Sequence, residues 1–208
     1  MQQHEISLET ECYYHVYNRG INGESLFREE RNYHFFLGKY ATYIEPVAET
    51  YAYCLLKNHF HLLIRIRSQE TLRKFMINHQ LSINQGLHNV NKIVSRQFAR
   101  FFSCYTQSIN KVYGRHGSLF EKPFRRKKIS HDDYFTHLIY YIHANPQQHG
   151  FTNDFTLYPH SSYAAILDTR KSRLQRSSVL EWFGGGKMYQ EFHQLNQVLT
   201  DASQWVIE

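Results

Sequence analysis

An α+β domain is predicted by three features of the chain. Apolar runs of strand length at residues 12–18, 51–56 and 59–67 are interleaved with long stretches whose apolar residues recur at helical spacing. Turn residues separate these segments, and no repeat or low-complexity linker divides them. Hydrophobic residues make up 42% of the 208 positions, which is enough for one core without covalent staples.

Each element follows from local chemistry. Cys12 to Asn18 is the first strand, closed by Arg19-Gly20 and a turn at Asn22-Gly23. Arg31 to Ile44 is a helix, because Tyr33, Phe36, Leu37, Tyr40 and Ile44 recur three and four apart, and Pro46 ends it. Tyr51 to Leu56 and His59 to Arg67 are strands joined only by Lys57-Asn58, so they form an antiparallel hairpin. From Glu70 to about Tyr113 the pattern is helical, with an interruption expected around Asn84-Gln85-Gly86 and Asn89 to Asn91. Val94, Phe98, Phe101, Tyr105, Ile109 and Val112 then trace one face, which Gly114 can cap.

Gly117 to Phe120 and Phe124 to Ile129 supply a further strand, placed at an edge or a bulge by Pro123. Ser130 is the expected N-cap of a helix through Tyr134, Leu138 and Tyr141, with Asp132 and Asp133 favouring its dipole and Pro146 stopping it. Beyond Gly150 the chain is rich in loops, and Gly184-Gly185-Gly186 breaks it before a terminal helix from about Met188 to Leu199. The simplest organisation is a domain over residues 1–168 and a small helical extension over 169–208.

No apolar run approaches the roughly 20 residues that cross a bilayer, and the first five residues lack the pattern of a signal peptide. A cytoplasmic protein without a membrane partner is expected. Cys12, Cys54 and Cys104 are far apart, so they read as buried thiols and neither as a disulfide framework nor as a zinc site. The formal charge is +6. Lys122, Arg125, Arg126, Lys127 and Lys128 crowd one stretch and Arg170, Lys171, Arg173 and Arg176 another. Such patches suit a polyanion, or are simply a solvated basic face.

His59-Phe60-His61 carries the chemistry. Side chains on a strand alternate, so the two imidazoles share a face while Phe60 points into the opposite layer. Two imidazoles can begin a site for a divalent metal, but two ligands do not complete one. Tyr141-Ile142-His143-Ala144-Asn145-Pro146 offers the rest. Four residues apart on a helix, Tyr141 and Asn145 share a face and His143 is turned away from both. The Asn145 amide oxygen can complete a three-ligand set with His59 and His61, and Tyr141 would then stand one turn away, placed to act as a nucleophile. The plain alternatives are a packing tyrosine and an asparagine that ends a helix before proline.

The Asn58-His59-Phe60-His61-Leu62-Leu63 segment resembles the histidine, hydrophobic, histidine motif of single-tyrosine transposases. The Tyr141-to-Pro146 segment resembles the tyrosine helix of their REP-associated branch. Three further stretches are similar to that branch in the same order: Tyr14 to Gly20, Tyr113 to Phe120 and Tyr158 to Tyr163. The likeness spans about residues 11–165, with Lys57 where the branch often has proline and a longer segment from about Ile77 to Asn91.

The resemblance implies a ferredoxin-like antiparallel sheet with helices packed on it. It makes Tyr141 the catalytic nucleophile and His59, His61 and Asn145 the ligands of Mg²⁺ or Mn²⁺. It implies cleavage and rejoining of hairpin-forming single-stranded DNA through a 5′-phosphotyrosine. DNA contacts fall first to Arg125, Arg126, Lys127 and Lys128, then to Arg65 and Arg67. A homodimer, with Tyr141 facing the histidines of the other subunit, is compatible with the same motifs. Two rivals stand beside it: a catalytically silent DNA- or RNA-binding protein of the same fold, and a two-histidine RNA phosphodiesterase. The second wants paired H-x-T or H-x-S motifs, which His59-Phe60-His61 does not supply.

Overall fold

The computed structural model describes residues 6–80, 87–130 and 134–199. Strand β1 (Tyr13–Arg19) leads to helix α1 (Glu30–Tyr43), and β2 (Ala48–Leu56) and β3 (His59–Ile66) form the expected hairpin. Helices α2 (Gln69–Asn78) and α3 (Leu87–Tyr113) precede the short strand β4 (Arg125–Ile129). Helix α4 (Tyr134–Gln148) follows, and then α5 (Tyr163–Leu167), α6 (Arg176–Phe183) and α7 (Gly186–Leu199). The four strands are ordered β2-β3-β1-β4 and all neighbours are antiparallel. That is the split βαβ arrangement of a ferredoxin-like sheet.

Strand alternation divides the residues between two cores. Tyr14 and Val16 of β1 and Phe60, Leu62 and Ile64 of β3 pack with Phe36 and Tyr40 of α1 and with Phe98, Phe101 and Tyr105 of α3. Ala52, Cys54 and Leu56 of β2 and Leu63 of β3 face the other way, against Leu138, Tyr141 and Ile142 of α4 and Val179, Phe183 and Tyr189 of α6 and α7. The sheet is therefore a middle layer. Phe60 is fully buried, and such a ring contributes roughly 1.5–3 kcal/mol by leaving water.

Local signals end the elements largely as expected. Gly114 takes a left-handed φ of 61° after α3, and the Arg115 amide donates back to the Asn110 carbonyl at 3.0 Å. Gly20 closes β1 because a Cβ there would lie 2.0 Å from the Glu24 carbonyl oxygen. Strand β4 is an edge strand, which accommodates Pro123 just before it.

Four expectations are corrected. Helix α4 does not stop at Pro146 but runs through it to Gln148. The proline forfeits only its own missing N–H bond, and the Asn145 and Pro146 carbonyls still accept from His149 at 3.0 Å and Phe151 at 2.8 Å. Helix α3 is continuous through Asn89 to Asn91, since asparagine costs a helix only a fraction of what proline does; Asn84 to Gly86 lie outside the described residues, as do Asp132 and Asp133. The terminal helix begins at Gly186 rather than Met188, and only Cys54 of the three thiols is buried.

Helix α7 packs onto α4 through a chain of buried polar groups that begins at Ser162. The Ser162 hydroxyl is 2.7 Å from Nε2 of His143, whose Nδ1 is 3.0 Å from Nε2 of His193. His193 Nδ1 donates to the Tyr189 carbonyl at 2.7 Å. That last bond assigns every tautomer in the row: each neutral ring donates at Nδ1 and accepts at Nε2. No described helix is long and apolar enough to cross a membrane.

Candidate functional site

Strand β3 presents His59 and His61 on the face that α4 crosses, while Phe60 enters the opposite core. His61 is buried and His59 is half-buried. Asn145, one turn past Tyr141, is fully buried and points its Oδ1 at Nε2 of His59, 3.3 Å away. The Asn58 side chain holds the other nitrogen of His59 at 2.8 Å. The Tyr141 ring stands edge-on to His61 with centroids 5.6 Å apart and is itself only 6% exposed. All four site residues expected from the motifs thus converge, and His143 faces away into the buried row described above.

Three further residues join them that sequence reasoning did not single out. His15 and Tyr17 of β1 lie on the same sheet face, with Tyr17 directly opposite His61 in register. Nε2 of His15 is 3.0 Å from Nδ1 of His61. His149, four residues beyond Asn145, brings its ring to 4.8 Å from that of His59. The signals were present: two-residue alternation in β1, and four-residue spacing from Asn145. Neither identifies a partner until the strands are paired.

A cavity of about 300 Å³ opens beside the histidines, lined by Tyr17, Asn58, His59, His61, Arg125 and His149 among others. Burial pushes the His15 imidazole down to about 3, with the Lys127 ammonium adding to the effect. His61 is lowered by burial and then by the neighbouring imidazoles of His15, His59 and His149. Both rings are therefore neutral near pH 7, the state in which imidazole binds metal.

Among the described residues, no three His, Cys, Asp or Glu side chains gather into a metal site. The donor set available is two imidazoles and one carboxamide. It fits a divalent cation on two observations. Nε2 of His61 is buried with no hydrogen-bond partner among the described residues. The 3.3 Å between His59 Nε2 and Asn145 Oδ1 is also close to the ~3 Å separation of adjacent ligands around an octahedral ion with bonds of about 2.1 Å.

The six basic residues separate. Arg125 and Lys127 pair with Tyr17 and His15 across β1 and so share the histidine face. Arg125 lies 3.9 Å from Glu121, a carboxylate that also holds Arg19 at 2.7 Å. Arg126 donates to the Ile6 carbonyl at 2.6 Å and Lys128 pairs with Glu9 at 2.7 Å, both on the other face. Arg65 pairs with Glu11 and Glu49 at 3.3 and 3.6 Å, and Arg67 with Glu49 at 3.2 Å.

A ferredoxin-like α+β domain, with a helix-borne tyrosine and asparagine laid against a two-histidine strand, is the class that fold and site define. No protein-family profile matches the chain, and no curated protein matches it by sequence. Among solved structures it is similar to a REP-associated tyrosine transposase bound to a REP hairpin, at 13% identity and a TM-score of 0.54. That match covers 80% of this chain and 86% of the other. At this identity the likeness is one of fold, and the neighbour is a member of the family that the motifs resemble.

Proposed function

We propose that the chain cleaves and rejoins single-stranded DNA beside hairpin-forming repeats, with Tyr141 as the nucleophile. The observation that carries this reading is the convergence of α4 on β3: Asn145 Oδ1 meets His59 Nε2 at 3.3 Å while the Tyr141 ring stands 5.6 Å from that of His61. The hairpin-bound state of the transposase that shares the fold supports the choice of substrate.

The Tyr141 oxygen bonds to the scissile phosphorus as the bond to the 3′-oxygen breaks. The phenolic proton passes to solvent and the departing 3′-oxygen takes one up, leaving a 5′-phosphotyrosine and a 3′-hydroxyl. A 3′-hydroxyl attacking the same phosphorus restores the tyrosine, so the covalent link conserves the energy of the broken one. His59, His61 and Asn145 would hold Mg²⁺ or Mn²⁺, which supplies charge neutralisation at the phosphate oxygens when bound. Arg125 and Lys127, on the same face, attract the phosphate backbone of the DNA. The buried helix face of α4 keeps Tyr141 at a fixed height over the sheet.

A second reading, a silent hairpin-binding protein, draws on one observation: Tyr141 is 6% exposed and is not among the residues that line the cavity. Labelled single-stranded hairpins incubated with protein and Mn²⁺ separate the two. A covalent protein–DNA adduct that disappears in Tyr141→Phe supports the enzyme. Hairpin binding without any adduct, across a broad pool of hairpins and flanks, supports the binder.

A further inference from the structure

His15 stands outside the donor set yet touches both halves of the site. It is wholly buried, its Nε2 is 3.0 Å from Nδ1 of His61, and the two rings lie nearly parallel at 19° with centroids 5.2 Å apart. Tyr141 stands across the pair, edge-on to His15 at 5.9 Å and to His61 at 5.6 Å. His15 is wholly buried and His61 is 4% exposed, so the partner that the fold supplies to His61 Nδ1 is the His15 ring.

A neutral imidazole carries one proton for two nitrogens. If Nδ1 of His61 holds it, Nε2 offers a lone pair to a cation; if Nδ1 accepts, Nε2 carries the hydrogen and repels one. The group beside Nδ1 therefore decides what His61 presents to His59 and Asn145. We propose that His15 is a positioning residue: its Nε2 accepts the Nδ1 proton of His61, which sets the tautomer and ring plane in which Nε2 of His61 serves as a metal ligand. This rests on the metal-dependent reading above.

One further feature bears on this role. Accepting at Nε2 obliges His15 to carry its own proton at Nδ1, and that buried nitrogen has no hydrogen-bond partner among the described residues. An apolar side chain would fill the same space without an orphaned donor, so packing alone does not account for an imidazole here. The bond to His61 does.

The test combines ¹⁵N-imidazole NMR of the metal-free full chain with Mn²⁺ binding followed by electron paramagnetic resonance. In the wild type, His61 is expected to show a protonated Nδ1 and an unprotonated Nε2. His15→Leu is expected to weaken Mn²⁺ binding about 10- to 100-fold. His15→Gln, whose amide oxygen can accept from Nδ1, should return it to within a few-fold. Thermal unfolding of both variants separates this from a loss of structure, and if His15→Leu does not fold, the wild-type tautomer and His15→Gln still decide. A protonated Nε2 on His61, or wild-type Mn²⁺ affinity in a folded His15→Leu, overturns the proposal alone. Mn²⁺ binding that is unchanged by His59→Ala and His61→Ala overturns the metal site, and the role of His15 with it.

Discussion

Asn145 Oδ1 lies 3.3 Å from Nε2 of His59, although 86 positions separate them in the chain. One residue comes from the last turn of α4 and the other from the first position of β3. The contact requires α4 to cross the sheet at the end where β3 begins, and that crossing also brings Tyr141 over His61 and His149 beside His59. A single docking geometry thus assembles the site.

Asn145→Ala should lower Mn²⁺ affinity at least tenfold, because it removes the only oxygen donor of the set. Asn145→Asp, which keeps an oxygen at the same reach and adds charge, should bind Mn²⁺ at least as tightly as the wild type. Isothermal titration calorimetry on the DNA-free protein measures both, and equal affinities in the Ala variant and the wild type would remove Asn145 from the set.

Stability should fall as pH drops from about 6.5 toward 4. Burial lowers the His193 imidazole to about 4 in the folded chain, against a usual value near 6.5. Above 6.5 the ring is neutral folded or unfolded and makes no difference to stability; below it the unfolded chain takes up a proton that the folded one refuses. The loss approaches roughly 3 kcal/mol near pH 4. His193→Gln, which keeps a polar group without titrating there, should flatten the dependence of the melting temperature on pH over this window.

Ser162→Ala should cost about 2 kcal/mol and lower the melting temperature by roughly 4–8 °C. The Ser162 oxygen accepts from the Tyr53 amide at 2.9 Å while its hydroxyl serves His143 at 2.7 Å, so truncation leaves two buried groups without it. Differential scanning calorimetry checks the value; a change below 0.5 kcal/mol would mean that the row from Ser162 to Tyr189 does little to hold α7 on α4.

Arg125→Ala and Arg67→Ala should behave differently on hairpin DNA. Arg125 lies on the histidine face, so its loss should reduce the slope of log K against log[salt] by about one. Arg67 donates to the Glu45 carbonyl at 2.7 Å and pairs with Glu49, so its loss should lower thermal stability and leave the slope unchanged. Fluorescence anisotropy across a salt series, with melts of both variants, distinguishes them.

Much of this was legible in the chain because its physics is local. The two-residue period of a strand placed His59 with His61 and against Phe60, and the 3.6-residue period of a helix placed Tyr141 with Asn145 and turned His143 away. The Lys57-Asn58 connection determined the hairpin. Alternation in β4 likewise divides Arg125 and Lys127 from Arg126 and Lys128, a division that charge counting alone overlooked.

Local periodicity assigns which side chains share a face of each element; the packing of elements distant in the chain selects which faces meet. His15 on β1 becomes the partner of His61 because β1 and β3 pair in one register among several, and His143 finds Ser162 and His193 because the start of α5 and α7 both settle on α4. Pro146 stays helical for the same kind of reason, since packing on both sides of α4 outweighs one missing hydrogen bond. Periodicity is written in neighbours a few residues apart, whereas register and docking depend on burial summed over segments far apart in the chain, and no local window contains that sum.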